Sequence, residues 1–192
     1  MSIIGLRLSA VAGFSLAWAQ YAIAQDQSDQ EPLALTEASC TSVALGARID
    51  RGRIGEPVSG VALDSPAWVA ATERAPAHCR VNGRLEPIDL SETARPILFG
   101  VALPASWNRR SIQMGGGGMN GSIPGLAGGF GGPSELANGF VTYGSDSGHA
   151  NGDNEWTLND EAIRNLGYMQ MKKTHDVAMV LIAGASVDPV DR

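Results

Sequence analysis

Short apolar runs, separated by glycine, proline and polar residues, fill the middle of the chain and predict strands. The clearest run is ILFGVAL at residues 97–103, which Pro104 ends. Residues 79–87 predict a hairpin with Asn82-Gly83 as its tight turn, because Asn-Gly between two strand-like runs favours a two-residue turn. Further strands are predicted at residues 44–49, 56–62, 111–114 and 140–144.

Helical periodicity is strongest over residues 161–183. Apolar residues recur there at helical spacing, at Ile163, Leu166, Met169, Val177, Val180 and Leu181. Gly184 follows as a helix-ending residue. Shorter helices are predicted at residues 36–42, with Thr36 as N-cap, at 67–74 and at 133–138. Strands followed by helices of increasing length predict an α/β fold whose sheet starts with antiparallel strands and continues with crossovers.

Residues 1–24 have the features of a secretory signal peptide. One positive charge, Arg7, precedes the apolar residues 8–18, and Ala22-Ile23-Ala24 matches a small-x-small cleavage site. The apolar run is too short for a membrane anchor that spans a bilayer. We therefore expect an exported protein, periplasmic or extracellular, with no membrane attachment after cleavage. Residues 25–36 are polar and predicted to be flexible, which leaves 37–192 as the folded domain.

Composition and charge narrow the choice of function. The 192 residues suffice for one domain, and a net charge of −6 without a basic cluster excludes nucleic acid as a partner. In an oxidising compartment, Cys40 and Cys79 predict one disulfide, with two free buried thiols as the alternative. The histidines show no metal-ligand spacing, so we predict no metal and no cofactor. His78 is predicted to be structural, and His175 to lie on the solvent-facing side of the long helix.

Four consecutive glycines, Gly115 to Gly118, directly follow the strand predicted at residues 111–114. Loops after strands are where α/β proteins place ligand sites. In α/β-hydrolases, a glycine-rich loop supplies backbone N–H groups that stabilise the oxyanion formed during acyl transfer. We predict this role for Gly116, Gly117 and Gly118, with Gly117 and Gly118 as the preferred donors. The alternative is a flexible surface loop.

The same glycines also match the dinucleotide motif G-x-G-x-x-G, from Gly116 to Gly121. That motif needs an acidic residue about 20 positions further on. Glu135 comes too early and Asp146 too late, which argues against a dinucleotide. A phosphate-binding P-loop is excluded because no Gly-Lys-Ser/Thr follows.

The serine motif that accompanies an oxyanion loop in α/β-hydrolases, G-x-S-x-G, is absent. Residues Gly144 to Gly148 come close, but Asp146 occupies the serine position. We predict that Asp146 and His149 organise the loop after the strand, with a direct substrate contact as the alternative. We assign no catalytic residue in this chain, and a complete but unrecognised hydrolase would have to use Ser147 or Ser186.

A series of segments occurs along the chain in a specific order and spacing. They are CRVNG from Cys79, ILFGVALP from Ile97, Trp107-Asn108, QMGGGG from Gln113, residues 139–149, and Trp156 followed by Gly167-Tyr168. Together they resemble the tannase and feruloyl esterase family over residues 36–192. The resemblance implies a secreted α/β-hydrolase that cleaves small esters of aromatic acids, such as gallate or ferulate, through a serine acyl-enzyme. Met119, Arg109 and Leu166 depart from the family pattern, which often has an aromatic residue, glycine and phenylalanine there.

The resemblance also implies a nucleophile in a Cys-Ser-x-Gly-Gly element after the long helix, with the catalytic Asp and His later still. The sequence as given ends at Arg192, before any of them. We therefore expect an incomplete α/β-hydrolase-like sheet, the N-terminal part of an esterase, which is inactive alone. The alternative from another class is an exported, non-catalytic domain that binds a sugar or small ligand. The sequence does not predict an oligomeric state.

Overall fold

The structure is a computed structural model that describes residues 31–46, 48–128, 132–149 and 154–186. The described residues from Pro32 onward belong to one compact unit. The predicted signal peptide at residues 1–24 lies outside the described residues. Among the helices that the structure describes, none is long and apolar enough to cross a membrane.

Eight strands are found within the described residues. In chain order they are β1 (Leu33–Ala34), β2 (Gly60–Leu63), β3 (Ala67–Val69), β4 (His78–Glu86), β5 (Ile97–Pro104), β6 (Ser106–Trp107), β7 (Ser111–Gln113) and β8 (Val141–Ser145). A six-stranded sheet has the order β2-β4-β5-β8-β7, with β3 also paired to β4. β1 pairs with β6, so the end of the segment predicted to be flexible is hydrogen-bonded to the domain.

β4 is one continuous strand, so the hairpin turn predicted at Asn82-Gly83 is wrong. β4 pairs antiparallel with β5 along nearly its whole length. Gly83 is needed for packing, because a Cβ there would lie 2.4 Å from the Ala62 carbonyl oxygen and 2.6 Å from the Phe99 ring. Neighbouring strands from elsewhere in the chain thus override the local turn preference of Asn-Gly.

The strands at the other side of the sheet give two loops a common edge. β5 and β8 are antiparallel, whereas β8 and β7 are parallel. Because parallel neighbours end on the same side, the loops that follow β7 and β8 leave the sheet next to each other. The antiparallel beginning and the later crossover confirm the mixed α/β fold.

The helix predicted at residues 36–42 consists of two shorter pieces. A 3-10 turn spans Glu37–Ser39, and helix α1 spans Ser42–Leu45. Thr36 is the N-cap of the first piece, as predicted, and its backbone N–H donates to Ser39 Oγ at 2.9 Å. Because α1 reaches Leu45, the strand predicted at residues 44–49 is wrong. The strand predicted at residues 56–62 is confirmed only in its second half, as β2.

Two further predicted helices are wrong. Within residues 67–74, Ala67–Val69 forms the strand β3, where Trp68 lies opposite Cys79 and packs against the core. Residues 135–139 form turns rather than a helix, with the Asn138 N–H donating to the Ser134 carbonyl at 3.0 Å. In both segments the pattern is too short for local preference to decide, so tertiary contacts select the conformation.

The long helix predicted at residues 161–183 is confirmed, with an interruption. It consists of α2 (Asp160–Arg164), a π-helical turn (Asn165–Met169) and α3 (Gln170–Ala185). A π turn adds a residue to one turn and so rotates the faces that follow. Ile163, which precedes the π turn, is 47% exposed, whereas Met169 at the end of that turn is buried.

The core lies between the sheet and α3. Phe99 and Val101 of β5 and Val177 and Leu181 of α3 are fully buried in one cluster. Complete burial of each such side chain contributes about 1.5–3 kcal/mol before the conformational entropy that opposes folding. The long helix therefore holds the sheet from one face.

A disulfide joins Cys40 to Cys79, which confirms the predicted pairing. No free cysteine occurs in the chain, so the alternative of two thiols does not apply. Cys79 lies in β4 and is fully buried. The bond therefore ties the segment before α1 to the centre of the sheet.

Candidate functional site

The glycine-rich loop begins where β7 ends. The Met114 N–H still donates to the Tyr143 carbonyl at 2.7 Å, and beyond it the chain leaves the sheet. Gly117 and Gly118 have φ angles of +67° and +51°, which glycine adopts without strain. A Cβ at either position would meet open space. Glycine is therefore required at these two positions by the backbone dihedral and not by crowding.

The backbone N–H groups of this loop face no competing acceptor. The four glycines are exposed. Within the described residues, the N–H groups of Gly116, Gly117 and Gly118 donate to no protein oxygen. Exposed backbone donors that are held in place can stabilise an anion or a developing negative charge. The loop thus offers the kind of donor that the predicted oxyanion role needs.

Gly116 is required for a different reason from its two neighbours. A Cβ there would lie 1.4 Å from Asn120 Oδ1, which no side chain could tolerate. The Asn120 side chain therefore packs directly against the Gly116 backbone. Gly116 makes room for a side chain of this protein, whereas Gly117 and Gly118 form the exposed part of the loop.

Asn120 connects the glycine loop to the end of β8. Its backbone N–H donates to the Gly117 carbonyl at 2.8 Å and closes the turn. Its side-chain Nδ2 donates to the Ser145 carbonyl and to Ser147 Oγ, both at 2.7 Å. Asn120 has a φ of +59°, a conformation that asparagine tolerates better than most residues. No sequence pattern marks Asn120 as part of a site, because its partners lie 25 or more residues away along the chain.

Asp146 accepts two backbone hydrogen bonds in the turn that follows β8. Its Oδ1 accepts from the Leu98 N–H at 2.9 Å and from the Gly148 N–H at 2.8 Å. The side chain is buried, and this desolvation raises the pKa of Asp146 to about 6, although the two backbone donors oppose the shift. Asp146 thus holds the turn against β5.

His149 lies at the end of the same turn and is also buried. Its ring stacks on Trp156 with centroids 4.4 Å apart. Within the described residues its Nδ1 has no hydrogen-bond partner. The His149 ring is therefore held by packing against Trp156. The structure brings Asp146 and His149 into one turn beside the glycine loop.

The two candidate serine nucleophiles are both engaged in hydrogen bonds that do not activate them. Ser147 is buried and its Oγ accepts from Asn120. The Ser186 Oγ donates to the Ile182 carbonyl at 2.6 Å, at the end of α3. Among the described residues, neither hydroxyl bonds to a histidine, which is the arrangement that would activate a serine.

The other two histidines have the predicted surroundings. His78 is buried in β4, and its Nδ1 lies 2.8 Å from the Pro76 carbonyl oxygen. The side chain of His175 is 46% exposed. Its ring contacts Tyr143 edge-on, with centroids 6.3 Å apart. Neither ring lies in the turn beside the glycine loop.

Comparison with known proteins gives this site a context. The family described as tannase and feruloyl esterase matches residues 79–192, a range that contains the glycine loop and the turn after β8. The chain belongs to this family. An uncharacterized esterase from Agrobacterium fabrum (strain C58) is 38% identical over 164 residues, which cover 80% of this chain and 29% of that protein.

A second relative in this comparison is a mono(2-hydroxyethyl) terephthalate hydrolase from Piscinibacter sakaiensis. It is 31% identical over 134 residues, which cover 65% of this tannase-family chain and 21% of that protein. The chain thus spans less than a third of the length of either relative. Of these two relatives, one is named an esterase and the other a hydrolase.

One departure from the family pattern has a visible structural setting. Arg109 has a φ of +65°, in the region that favours glycine, the residue expected there from the family resemblance. The turn is supported by Asn108, whose Oδ1 accepts from the Arg110 N–H at 2.9 Å and whose Nδ2 donates to the Asn138 carbonyl at 2.7 Å. These two bonds of Asn108 hold the turn in which Arg109 adopts this conformation.

Proposed function

We propose that this protein is an exported carboxylic ester hydrolase that acts on esters of aromatic acids through a serine acyl-enzyme, and that the glycine loop forms its oxyanion hole. The single observation that carries the proposal is the set of exposed N–H groups at Gly117 and Gly118, next to the end of a parallel strand, in a tannase-family chain. Export is supported by the signal-like N-terminus and by the disulfide.

The loop has a defined part in the proposed reaction. A serine hydroxyl gives its proton to a general base as its oxygen attacks the ester carbonyl carbon, which becomes tetrahedral while the carbonyl oxygen becomes an oxyanion. The Gly117 and Gly118 N–H groups donate to this oxygen, so the interaction strengthens as charge develops. Collapse of the intermediate expels the alcohol, which takes the proton back from the base, and leaves the acyl group on the serine; water then releases the acid by the same steps. We assign the nucleophile to no described residue.

The aromatic part of the proposal rests on the family and on the relatives. The family name contains feruloyl esterase, and one relative is named for a terephthalate ester. Met119 is 61% exposed beside the glycines, where it is accessible to a bound acyl or alcohol group. Thioether side chains pack well on aromatic rings, which is consistent with an aromatic substrate.

The test is a hydrolysis assay on the protein expressed from its natural reading frame. We expect methyl ferulate and methyl gallate to be hydrolysed with a kcat/KM at least tenfold above that of methyl butyrate, because an aromatic pocket binds the ring in the transition state. A fluorophosphonate should label one serine, which peptide mass spectrometry locates. Faster turnover of methyl butyrate would contradict the aromatic preference.

The same samples distinguish the alternatives. Labelling of Ser147 or Ser186 would contradict the proposed nucleophile and favour an unrecognised hydrolase. A folded protein that binds gallate in a calorimeter without turning over any ester would contradict the enzyme proposal and favour a non-catalytic binding domain.

A further inference from the structure

We infer that Asn120 is a positioning residue for the oxyanion loop: its side-chain amide fixes the Gly116–Gly118 backbone to the end of β8 without touching the substrate. The inference rests on the proposed function for its consequence in catalysis. Its structural part, that one side chain holds the loop in a single conformation, stands on the contacts alone.

The chemistry of the acceptors determines how the amide is oriented. One acceptor of Nδ2 is the Ser145 carbonyl oxygen, which can only accept a hydrogen bond. The amide nitrogen must therefore face β8, and both of its hydrogens are used, the second on Ser147 Oγ. Oδ1 consequently points back toward Gly116. The side chain spans the gap between the two loops in one orientation.

Oδ1 shows how tightly the side chain is enclosed. It is buried and has no hydrogen-bond partner among the described residues. A buried amide oxygen without a partner is energetically unfavourable. The two bonds of Nδ2 and the contact with the Gly116 backbone offset this penalty. A residue chosen only to complete a turn would expose its amide to water, so the enclosure indicates a role in holding the loop.

The attachment continues beyond β8 into the helical segment. The Ser145 Oγ donates to Gln170 Oε1 at 2.8 Å, and Gln170 is the first residue of α3, directly after the π turn. A continuous series of bonds therefore links the glycine loop, Asn120, Ser145 and the start of α3. Without Asn120, consecutive glycines would have many accessible conformations, and each N–H would spend less time in its productive direction.

The first experiment measures the order of the loop in the protein itself, by 15N relaxation of the Gly117 and Gly118 amides. Asn120→Gly removes the side chain and keeps a residue that adopts φ +59° freely. We expect the order parameters to fall from about 0.8 to below about 0.6. Asn120→Asp keeps the shape but replaces Nδ2 by an oxygen that cannot donate to Ser145, so it should cause the same fall.

Met119→Ala is the matched control, because Met119 is the neighbouring residue and its side chain is exposed. Its order parameters should equal those of the wild type. Unchanged order in Asn120→Gly would overturn the inference, and so would preserved order in Asn120→Asp. This measurement needs no substrate. It therefore tests whether Asn120 holds the glycine loop even if the protein hydrolyses no ester.

The second experiment uses the ester assay on the protein expressed from its natural reading frame. We expect Asn120→Gly to lower kcat for methyl ferulate by about 10- to 100-fold while KM changes less than about twofold, because a misplaced oxyanion donor affects the transition state more than substrate binding. A purely structural role would lower the melting temperature and leave kcat of the folded fraction unchanged. That result would overturn the inference and leave the proposed esterase activity intact.

Discussion

The loop after β7 and the turn after β8 leave the sheet at the same edge, and they use their polar groups in opposite ways. In the glycine loop, the residues are exposed and the N–H groups have no protein acceptor among the described residues. In the turn from Asp146 to His149, every side chain is buried, and the Gly148 N–H bonds to Asp146. The comparison teaches that the exposed loop is attached to a buried turn, through the hydrogen bonds of Asn120 to Ser145 and Ser147.

The largest expected effect on the free energy of unfolding comes from the charge of Asp146, in the buried turn. Its pKa of about 6 in the folded protein lies above the unfolded value of 3.8, so the folded state binds the proton more tightly. The resulting stability is complete below about pH 4 and is lost as the pH rises through 6. A difference of about two units corresponds to about 3 kcal/mol at pH 7.

Asp146→Asn should remove this loss, because the neutral amide oxygen can still accept from Leu98 and Gly148. The free energy of unfolding is measured by urea unfolding at several pH values between 4 and 7, followed by tryptophan fluorescence. Thr142→Val is the control: it deletes a buried bond to the Leu126 carbonyl and should shift the curve equally at every pH. If the free energies of unfolding of the wild type and Asp146→Asn change in parallel with pH, the buried carboxyl does not have the raised pKa described above.

The second effect comes from crowding at the end of β8. A Cβ on Gly144 would lie 2.5 Å from Pro124 Cγ and 2.9 Å from the Met114 carbonyl oxygen. Gly144→Ala should therefore lower the free energy of unfolding by about 2 kcal/mol through overpacking. Gly60→Ala is the matched control in the sheet, because a Cβ there meets nothing within 4 Å. Equal free energies of unfolding of Gly144→Ala and Gly60→Ala in urea would contradict the crowding at Gly144.

A smaller effect is expected in the glycine loop itself. Gly117→Ala meets open space and suffers only from its φ of +67°, so it should lower the free energy of unfolding by about 1 kcal/mol. Gly117→Asn should lose less, because asparagine tolerates this region. Thermal unfolding of the two variants measures the difference. A larger loss in the asparagine variant would indicate crowding that the structure does not contain.

The smallest effect is expected at Met119. Its side chain is 61% exposed, and Met119→Ala should change the free energy of unfolding by less than about 0.5 kcal/mol. Chemical denaturation at pH 7 is sufficient to measure it. A loss comparable to that of Gly144→Ala would mean that the loop is packed and not open, which would remove the contrast between the two regions.

The sequence was informative where a single physical cause determined the local structure. Apolar runs bounded by turn residues predicted β5, β7 and β8, and the helical period predicted the long helix. The sequence was misleading at Asn82-Gly83 and at residues 67–74, because pairing with other strands determines the conformation there. Local preference is too weak to oppose a full set of cross-strand bonds.

The same distinction between local preference and tertiary contact applies to the residues of the candidate site. The glycines were recognisable because their backbone freedom is a property of the residue itself. Asn120 was not, since its role depends on Ser145 and Ser147, which approach it only after β7 and β8 have paired. The one sequence signal was an asparagine in a glycine-rich segment, a residue that accepts left-handed backbone conformations. That signal predicts a turn and does not identify what the side chain holds.

The disulfide between Cys40 and Cys79 has a consequence for how the protein withstands proteases. The covalent loop that it closes contains β2, β3 and the exposed residues 70–74. A single cut within those residues would leave both pieces joined through sulfur, with the segment before α1 still attached to β4. On a gel, a nicked sample should migrate as one band until it is reduced. In the proposed extracellular setting, a cut in this exposed segment would therefore not separate the two parts of the chain.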